Sequence, residues 1–417
     1  MVNEVTLEHV LSAENLNAAV KAVCANAGAA GIDGMGTKAL KGHLARHGET
    51  IHGKLLAGKY KPSPVRRIWI GKAGGGERAL GIPTVVDRYI QQAISQALTK
   101  VFDPHMSEHS YGFRPGRSAH QAVKAAHGYV ESGKSYVVDI DLKSFFEEVN
   151  HDILMNGLTE RISDERVLKL MGRYLRAGVN EDRQWRSTYK GVPQGGPLSP
   201  LLANIYLDRL DKELESRALS FCRYADDCNI YVGSEKAAQR VYASVARWIE
   251  VKLRIPVNRD KSGTGRPWDR QFLGYQITEE LTLRPAPKSL KRYQHRVRDI
   301  FNARYPRTSA QLREDWLVFI RGWCEYYSLA NEKWWRVGLS SWTRRRIRCC
   351  FWKRWHNAKG RSNALRKLGL SDRALSQVPK HANAWTASRL PGMQQALGNR
   401  VLTKRRFLVP VDFTPAH

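Results

Sequence analysis

The sequence predicts an α+β domain followed by an almost entirely helical domain. Before residue 283, helical patterns at about 6–27 and 87–101 alternate with short β-rich runs, as in domains where helices pack on a sheet. After this point helical periodicity is nearly continuous. A change in composition and two prolines, Pro285 and Pro287, predict a domain boundary near residue 283. A length of 417 residues suits two or three domains of this kind.

The predicted strands are short runs rich in β-branched and aromatic residues. Each lies between polar or glycine-containing segments that favour turns. They are Val65–Ile70, Tyr136–Asp141, Leu219–Arg223, Asn229–Val232 and a strand-like segment at 271–277.

Two long helices are predicted in the second domain. Trp316, Ile320, Trp323 and Tyr327 recur at spacings of four, three and four, which places them on one apolar helix face. The second helix, Trp342–Trp355, is dense in positive charge. Its basic residues include Arg344, Arg345, Arg346 and Arg348.

The net charge indicates a polyanionic partner. The chain has 68 Lys and Arg against 39 Asp and Glu, a formal charge of +29. Residues 286–417 contain 28 basic and 7 acidic residues and carry +21 of that charge, together with 8 of the 12 tryptophans. Basic groups neutralise phosphates and aromatic rings stack on bases, so this end suits nucleic-acid binding. For any single tryptophan, core packing is the alternative.

Other features exclude several classes of protein. The six cysteines include no CxxC pair, which argues against a zinc site or a disulfide framework. No apolar run approaches the roughly 20 residues of a membrane span. The first 30 residues lack the pattern of an export signal. We therefore expect a cytoplasmic protein without a membrane partner.

Two pairs of aspartates are candidates for chemistry. Asp226 and Asp227 lie between two predicted strands, where they form either a solvated turn or a site whose charge a cation compensates. Asp139 and Asp141 share one face of another strand. Carboxylates from separate strands that hold two magnesium ions about 3.5–4 Å apart are the usual arrangement for phosphoryl transfer in polymerases and nucleases.

A series of short motifs occurs along the chain in a fixed order. They are Gly31–Met35, Glu77–Val85, Ser110–Ser118, Asp141–His151, Gly191–Pro200, Tyr224–Asp227 (YADD), Lys261–Ser262, Phe272–Tyr275 and Arg321–Tyr327. The YADD segment alone is a weak signal, but the ordered set is specific. From Gly31 to about Leu370, the set resembles the reverse transcriptase/maturase proteins encoded by bacterial group II introns.

The resemblance implies a metal-dependent catalytic centre. Asp141, Asp226 and Asp227 become the catalytic carboxylates, holding two Mg²⁺ ions for which Mn²⁺ is a possible substitute. Asp139 shares the strand face of Asp141. The family's carboxylate lies five residues before the aromatic residue at Phe146, which selects Asp141 and leaves Asp139 a supporting role.

The resemblance also implies nucleotide and template contacts. Phe146 matches the aromatic residue that excludes a ribose 2′-OH, with core packing as the alternative. Lys72 and Arg78 match a hairpin that grips the triphosphate, and Lys261 a lysine near the pyrophosphate; a solvated hairpin tip and an ordinary surface lysine are the alternatives. The nucleotide-binding set is Lys72, Arg78, Phe146, Gln194 and Lys261, and the template- or primer-binding set is Arg114, Gly195, Tyr224, Arg344, Arg345, Arg346 and Arg348.

By the same resemblance, the fold is that of a right-handed polymerase. We expect an N-terminal extension and the start of the fingers at 1–60, fingers and palm with an antiparallel sheet at 61–283, a helical thumb/maturase domain at 284–375, and a basic C-terminal segment at 376–417 that acts as a rudimentary nucleic-acid-binding region. No Cys/His-rich endonuclease domain follows Leu370. The chain therefore resembles the endonuclease-lacking, IIC-like class.

The function implied is RNA-directed DNA polymerisation combined with binding of the intron RNA for splicing and retrohoming. The expected partners are a group II intron RNA, an RNA template with a DNA or RNA primer, dNTPs and a DNA target site. Two alternatives stay open: a related reverse transcriptase used in phage defence or DNA repair, and a splicing cofactor that only binds RNA.

Overall fold

Helices and strands alternate in the first part of the chain and then give way to helices, as predicted, although the division falls after residue 266 and not near residue 283. The computed structural model describes residues 5–71, 76–181, 184–330 and 332–413. The chain forms two compact units, Met1–Arg266 and Pro267–His417. The finer division into segments 1–60, 61–283, 284–375 and 376–417 stays a prediction.

The strands that the sequence predicts in unit 1 lie close to their predicted positions, whereas the strands Glu77–Ile82, Val179–Glu181, Gln184–Arg186 and Gly263–Gly265 were not predicted. The predicted strand Tyr136–Asp141 has these same bounds in the structure, and the others shift by one or two residues. The strands are β1 (Val65–Gly71), β2 (Glu77–Ile82), β3 (Tyr136–Asp141), β4 (Val179–Glu181), β5 (Gln184–Arg186), β6 (Ser220–Tyr224), β7 (Asp227–Val232) and β8 (Gly263–Gly265).

These strands form two four-stranded sheets. One has the order β6-β7-β3-β8 and is antiparallel throughout. The other has the order β2-β1-β4-β5 and is mixed, because β1 and β4 run parallel. The first sheet carries the acidic strand end, and the second carries the β1–β2 hairpin.

The helices of unit 1 surround these sheets. The predicted helix at 6–27 is divided into two at Leu11 and Ser12, and Thr6 caps the first piece. The helices are α1 (Leu7–Val10), α2 (Ala13–Asn26), α3 (Leu40–Leu56), α4 (Val85–Phe102), α5 (Ala119–Glu131), α6 (Phe145–Glu148), α7 (His151–Thr159), α8 (Glu165–Leu175), α9 (Ser199–Ser216) and α10 (Glu235–Trp248), with 3₁₀ turns at Thr37–Ala39 and Asp103–His105 and a π-helical turn at Ile249–Leu253.

One hydrophobic core joins these helices to the antiparallel sheet. Val138 and Ile140 of β3 are buried, whereas Asp139 and Asp141 point to the opposite, more open face. This is the alternation expected of a strand with one packed face. The core thus fixes which side of β3 presents its carboxylates.

Unit 2 is helical apart from one small hairpin. Its core contains the fully buried side chains of Tyr293, Trp316, Trp335 and Trp352, so these aromatic residues pack rather than stack on bases. The elements are β9 (Tyr275–Ile277) and β10 (Leu283–Pro285), then α11 (Pro287–Ile300), α12 (Ser309–Tyr326), α13 (Lys333–Arg354), α14 (Ala358–Lys367), α15 (Asp372–Ser376), α16 (Ala384–Ala387), α17 (Pro391–Ala396) and α18 (Asn399–Lys404), with 3₁₀ turns at Pro267–Asp269 and Pro410–Asp412.

Two exclusions made from the sequence can be compared with the structure. All six cysteines are free thiols, five of them buried and Cys24 partly buried. Among the residues that the structure describes, none of the helices combines the length and the apolar character that crossing a membrane requires.

Candidate active site

The strand register brings the predicted catalytic carboxylates to one edge of the antiparallel sheet. Asp141, the last residue of β3, lies directly opposite Asp227, the first residue of β7. Side chains opposite each other on neighbouring strands have Cβ atoms about 4.5–5.5 Å apart. Asp226 precedes Asp227 in the turn between β6 and β7. Asp141 and Asp227, 86 positions apart in the sequence, thus become neighbours.

Burial and neighbouring negative charges disfavour the ionised form of Asp227 when no cation is bound. Its pKa is raised to about 8, first by burial and then by the charges of Asp139, Asp226 and Asp141. A bound divalent ion would compensate these charges. The donor set is all oxygen, which suits Mg²⁺.

The described residues contain no group of three or more His, Cys, Asp or Glu side chains gathered as a complete metal site. Mg²⁺ commonly takes only one or two carboxylates from the protein and completes its shell with water and substrate phosphates. An open cluster of this kind therefore fits the ion better than a closed cage does.

The loop after the π-helical turn supports Asp141. The Asn258 side-chain amide donates to Asp141 Oδ1 at 3.0 Å, and the Asp141 backbone N–H donates to Ser262 Oγ at 2.9 Å. Lys261 Nζ lies 3.9 Å from Asp141 Oδ2, and its side chain is 68% exposed. The structure thus places Lys261 at the edge of the acidic cluster. Asn258 was not predicted from the sequence, although it lies only three residues before Lys261.

Asp139 occupies a different position from Asp141. It lies opposite Asn229 of β7, and the Asn229 amide in its hydrogen-bonding orientation donates to Asp139 Oδ1 at 3.2 Å. After burial, Asp139 is the largest cause of the raised Asp227 pKa. Asp139 lies two residues before Asp141 on β3, and its charge acts on Asp227. The supporting role expected of Asp139 stays a prediction.

A cavity of about 110 Å³ adjoins Phe146 and Gln194. Phe146 is partly buried, and its ring meets the edge of the buried Phe145 ring at 5.2 Å between centroids. The Gly81 N–H donates to the Gln194 carbonyl at 2.8 Å. The β1–β2 hairpin, the loop after Lys190 and α6 therefore form one pocket.

Gly195 allows this loop to approach β2 closely. Its φ is +128°, and a Cβ atom there would lie 2.8 Å from the Gly81 carbonyl oxygen. Both the backbone conformation and the spacing exclude a side chain. Gly195 itself is exposed, and the template contact predicted for it stays a prediction.

Of the two residues predicted to bind the triphosphate, the structure describes Arg78. Lys72 is outside the described residues. Arg78 lies on β2 opposite Ile70 and is exposed. A cation that the sequence analysis missed, Arg67, lines the cavity and pairs with Glu181 at 3.6 Å. Its position within the strand next to a second arginine gave no signal to distinguish it.

Tyr224 ends β6, and its ring lies 6.2 Å from the ring of the exposed Phe113. Arg114, predicted to contact the template, is instead buried. Its guanidinium donates to the Asp103 carboxylate at 2.7 Å and to the carbonyls of Asp103, Ser107 and Ser110 at 2.5–3.0 Å. Because Arg114 is buried and these bonds use four of its five donors, we correct the expected template contact to a structural role.

The arginine-rich helix α13 also differs from expectation. Arg348 is buried and donates to the Leu397 carbonyl at 2.8 Å and to Asn399 Oδ1 at 3.0 Å. Arg345 lies over the Trp385 ring at 3.3 Å and donates to the Trp385 carbonyl. Both hold the C-terminal segment. For the buried Arg348 we replace the predicted nucleic-acid contact with a structural role, whereas Arg345 is only partly buried and its predicted contact stays a prediction.

The other two predicted arginines of α13 are partly buried. Arg344 pairs with Asp412 at 3.3 Å. Arg346 lies 5.3 Å from the Trp342 ring and 5.1 Å from the Trp385 ring. Their predicted contact with template or primer stays a prediction.

Unit 2 exposes basic side chains in several places, and five of them lie on α11. Its buried residues, Ser289, Tyr293, Val297 and Ile300, repeat at helical spacing. The opposite surface, which we call the α11 face, exposes Lys288, Lys291, Arg292, Arg296 and Arg298. The amphipathic pattern of α11 was the signal that could have identified this face from the sequence.

A cavity of about 710 Å³ lies beside the α11 face. Arg292 and Arg296 line it together with the aromatic side chains of Phe319, Trp323 and Tyr326. Cations beside aromatic surfaces provide both phosphate neutralisation and base stacking. Unit 2 thus has a surface suited to nucleic acid.

Comparison with known proteins agrees with this arrangement. Residues 70–277 match the family described as Reverse transcriptase (RNA-dependent DNA polymerase). Residues 290–369 match the family described as Group II intron, maturase-specific domain. The two matches fall largely in unit 1 and wholly in unit 2, respectively.

Several curated proteins are similar to this chain. Protein YkfC of Escherichia coli K12 is 32% identical over 286 residues, covering 59% of this chain and 75% of YkfC. The group II intron-encoded protein LtrA of Lactococcus lactis subsp. cremoris is 41% identical over 170 residues, covering 40% of this chain and 28% of LtrA. A putative COX1/OXI3 intron 2 protein of Saccharomyces cerevisiae is 36% identical over 220 residues, covering 51% of this chain and 25% of that protein.

LtrA and the yeast intron protein are thus matched over only about a quarter of their length. YkfC, in contrast, is matched over 75% of its length. The two domain matches also follow the order expected for an intron-encoded protein. The chain therefore belongs to the group II intron reverse transcriptase/maturase family, with an RNA-directed DNA polymerase domain followed by a maturase domain.

Proposed function

We propose that the chain extends a primer on an RNA template at the carboxylate cluster of Asp141, Asp226 and Asp227. The observation that carries this proposal is the register that puts Asp141 opposite Asp227, with Asp226 in the adjoining turn. Two Mg²⁺ ions, or Mn²⁺ in their place, would activate the primer 3′-OH and stabilise the leaving pyrophosphate. The three carboxylates would hold these ions, and Asp139 would adjust their charge.

The remaining polymerase residues bind and orient the nucleotide. Arg78 and Lys72 neutralise the triphosphate, and Lys261, near Asp141, lies where the pyrophosphate leaves. Phe146 borders the sugar and Gln194 the base. The shared pocket formed by the β1–β2 hairpin, α6 and the loop that carries Gln194 supports the roles of Phe146 and Gln194.

The finer biological role we propose is binding of a group II intron RNA to assist its splicing and retrohoming into a DNA target. The match of residues 290–369 to a maturase-specific domain supports this role. The exposed basic residues of the α11 face supply the phosphate contacts that a folded RNA offers.

The polymerase proposal is tested by Asp226→Asn. The substitution removes one negative ligand, so Mg²⁺-dependent primer extension should fall by a factor of about 10² or more, as for other losses of transition-state charge stabilisation. RNA binding, measured by filter retention, should stay unchanged because Asp226 is not part of the α11 face. Extension at the wild-type rate would contradict the assignment.

The maturase proposal needs a separate assay. Intron RNA from the locus that encodes the chain is incubated with the protein, and spliced product is measured at low Mg²⁺. Asp226→Asn should still promote splicing, since the two activities use different units. If neither protein changes the splicing rate of that RNA, the maturase role is wrong while the polymerase role stands.

A further inference from the structure

Behind the turn that carries Asp226 lies a fully buried arginine, Arg223. Its Nε and one Nη donate to both oxygens of the Asp211 carboxylate at 2.6 and 2.5 Å. Its remaining N–H groups donate to Asn204 Oδ1 at 3.0 Å, to the Ala225 carbonyl at 2.9 Å and to Ser110 Oγ at 2.7 Å. All five guanidinium donors therefore have a partner.

The acceptors come from three separate parts of unit 1. Asn204 and Asp211 lie on α9, Ser110 lies in the loop before α5, and Ala225 is the first residue of the β6–β7 turn. The Arg223 backbone joins the same loop, since its carbonyl accepts from the Tyr111 N–H at 2.9 Å. One side chain thus connects a helix, a loop and the turn.

The turn is also held from the loop side. Asn204 Nδ2 donates to the Gly112 carbonyl at 2.8 Å. A Cβ atom on Gly112 would lie only 2.4 Å from the Ala225 nitrogen, so only glycine permits this approach. The peptide that leads into Asp226 is therefore enclosed between Arg223 and Gly112.

The backbone conformation explains why this peptide needs support. Ala225 has φ +58°, in the left-handed region that residues with a Cβ atom rarely adopt. Stability alone does not require a buried ion pair at this place, because apolar side chains of similar volume often stabilise a core as well or better. What a guanidinium adds is direction, since its planar donors fix the acceptors in defined positions.

We propose that Arg223 is a positioning residue for catalysis, which fixes the Ala225 peptide so that Asp226 and Asp227 face Asp141 before any ion binds. The inference rests on the proposed function of these three carboxylates. Arg223 itself contacts neither ion nor substrate.

The decisive variant is Arg223→Lys. Lysine keeps a positive charge beside Asp211 but cannot donate to both of its oxygens and to the turn together. Misplacement of reacting groups by about 1 Å can cost about 10²-fold in rate, so we expect kcat to fall by roughly 10- to 100-fold. The Mg²⁺ concentration for half-maximal activity should rise. Affinity for primer–template should not change.

A readout independent of activity is Mn²⁺ binding to the protein without substrates, followed by electron paramagnetic resonance. Arg223→Lys should bind Mn²⁺ more weakly than the wild-type protein. The matched control is Leu214→Ala. Leu214 is buried on α9, the helix that carries Asn204 and Asp211, and its side chain has no part in the hydrogen-bond network of Arg223. That control should melt at a lower temperature and bind Mn²⁺ as the wild-type protein does.

The possible outcomes separate the two proposals. If Arg223→Lys lowers only the melting temperature, as Leu214→Ala does, the positioning role is wrong. If Asp226→Asn polymerises normally, the error lies in the assignment of the carboxylates. Should Arg223→Lys fail to fold, Asn204→Ala takes its place, and unchanged Mn²⁺ affinity in that variant would overturn the inference.

Discussion

Replacing Phe146 by alanine tests sugar selection at a residue that binds no metal. A ring that blocks a 2′-OH imposes a clash, and overpacking of this kind costs about 1–3 kcal/mol. Its removal should therefore raise the ratio of ribonucleotide to deoxynucleotide kcat/KM by about 5- to 150-fold. Full burial of a Phe would make Phe→Ala cost about 3–5 kcal/mol of stability. Since Phe146 is only partly buried and borders a cavity of about 110 Å³, the cost should be below that range.

The assay compares kcat/KM for dGTP and GTP on one primer–template, with thermal melting measured in parallel. The neighbouring Phe145 provides the control, because its ring is 2% exposed and belongs to the core. Phe145→Leu should lower the melting temperature and leave the nucleotide ratio unchanged. An unchanged ratio in Phe146→Ala, together with a lower melting temperature, would refute the reasoning and leave Phe146 as a packing residue.

Two further predictions concern charge. Substitution of Lys288, Lys291 and Arg292 by Gln should reduce the slope of log K against log salt for RNA binding by roughly 2 to 3 units, because each lost phosphate contact contributes about 0.7–0.9; an unchanged slope would move the RNA surface away from α11. Asp164 has a pKa lowered to about 2, chiefly by its hydrogen-bonded arginine, Arg166. Its stabilisation is therefore present above its ordinary pKa of 3.8 and is lost as pH falls through 2. Asp164→Asn should cost about 1 kcal/mol of stability at pH 7 and flatten the dependence of the unfolding free energy on pH between pH 4 and pH 2. Urea unfolding of the variant and the wild-type protein across that range is the measurement. Parallel profiles for the two proteins would contradict the reasoning.

The acidic cluster could be predicted because its signals are local. Alternation along Tyr136–Asp141 shows which side chains share a face, and two adjacent aspartates between short β-rich runs mark a turn. The pairing of Asp141 with Asp227 is different, since strand register depends on packing across the sheet. The resemblance of the ordered motifs to the family implied that these two residues are neighbours. The strand register that brings them together is seen only in the structure.

Residues held by distant partners could not be assigned from the sequence. Arg114 and Arg348 look like any other basic residue, and only burial shows that their donors are taken up by protein carbonyls. Composition shows how many charges a segment has but not where its side chains point. The predicted nucleic-acid contacts were therefore assigned to α13, although α11 exposes a basic face. Arg223 stands beside the YADD segment, yet Ser110, one of its acceptors, is 113 residues away.

The arginines of α13 have a consequence for anyone who wants a shorter version of this enzyme. Arg345 and Arg348 donate to Trp385, Leu397 and Asn399, and the Trp316 indole donates to the Leu408 carbonyl at 2.6 Å. Removal of residues 376–417 would leave guanidinium groups inside the protein without hydrogen-bond acceptors. The first effect would be a loss of folding stability, before any change in RNA affinity. Loss of activity after such trimming would therefore be a poor guide to where RNA binds, and size is better reduced on exposed loops.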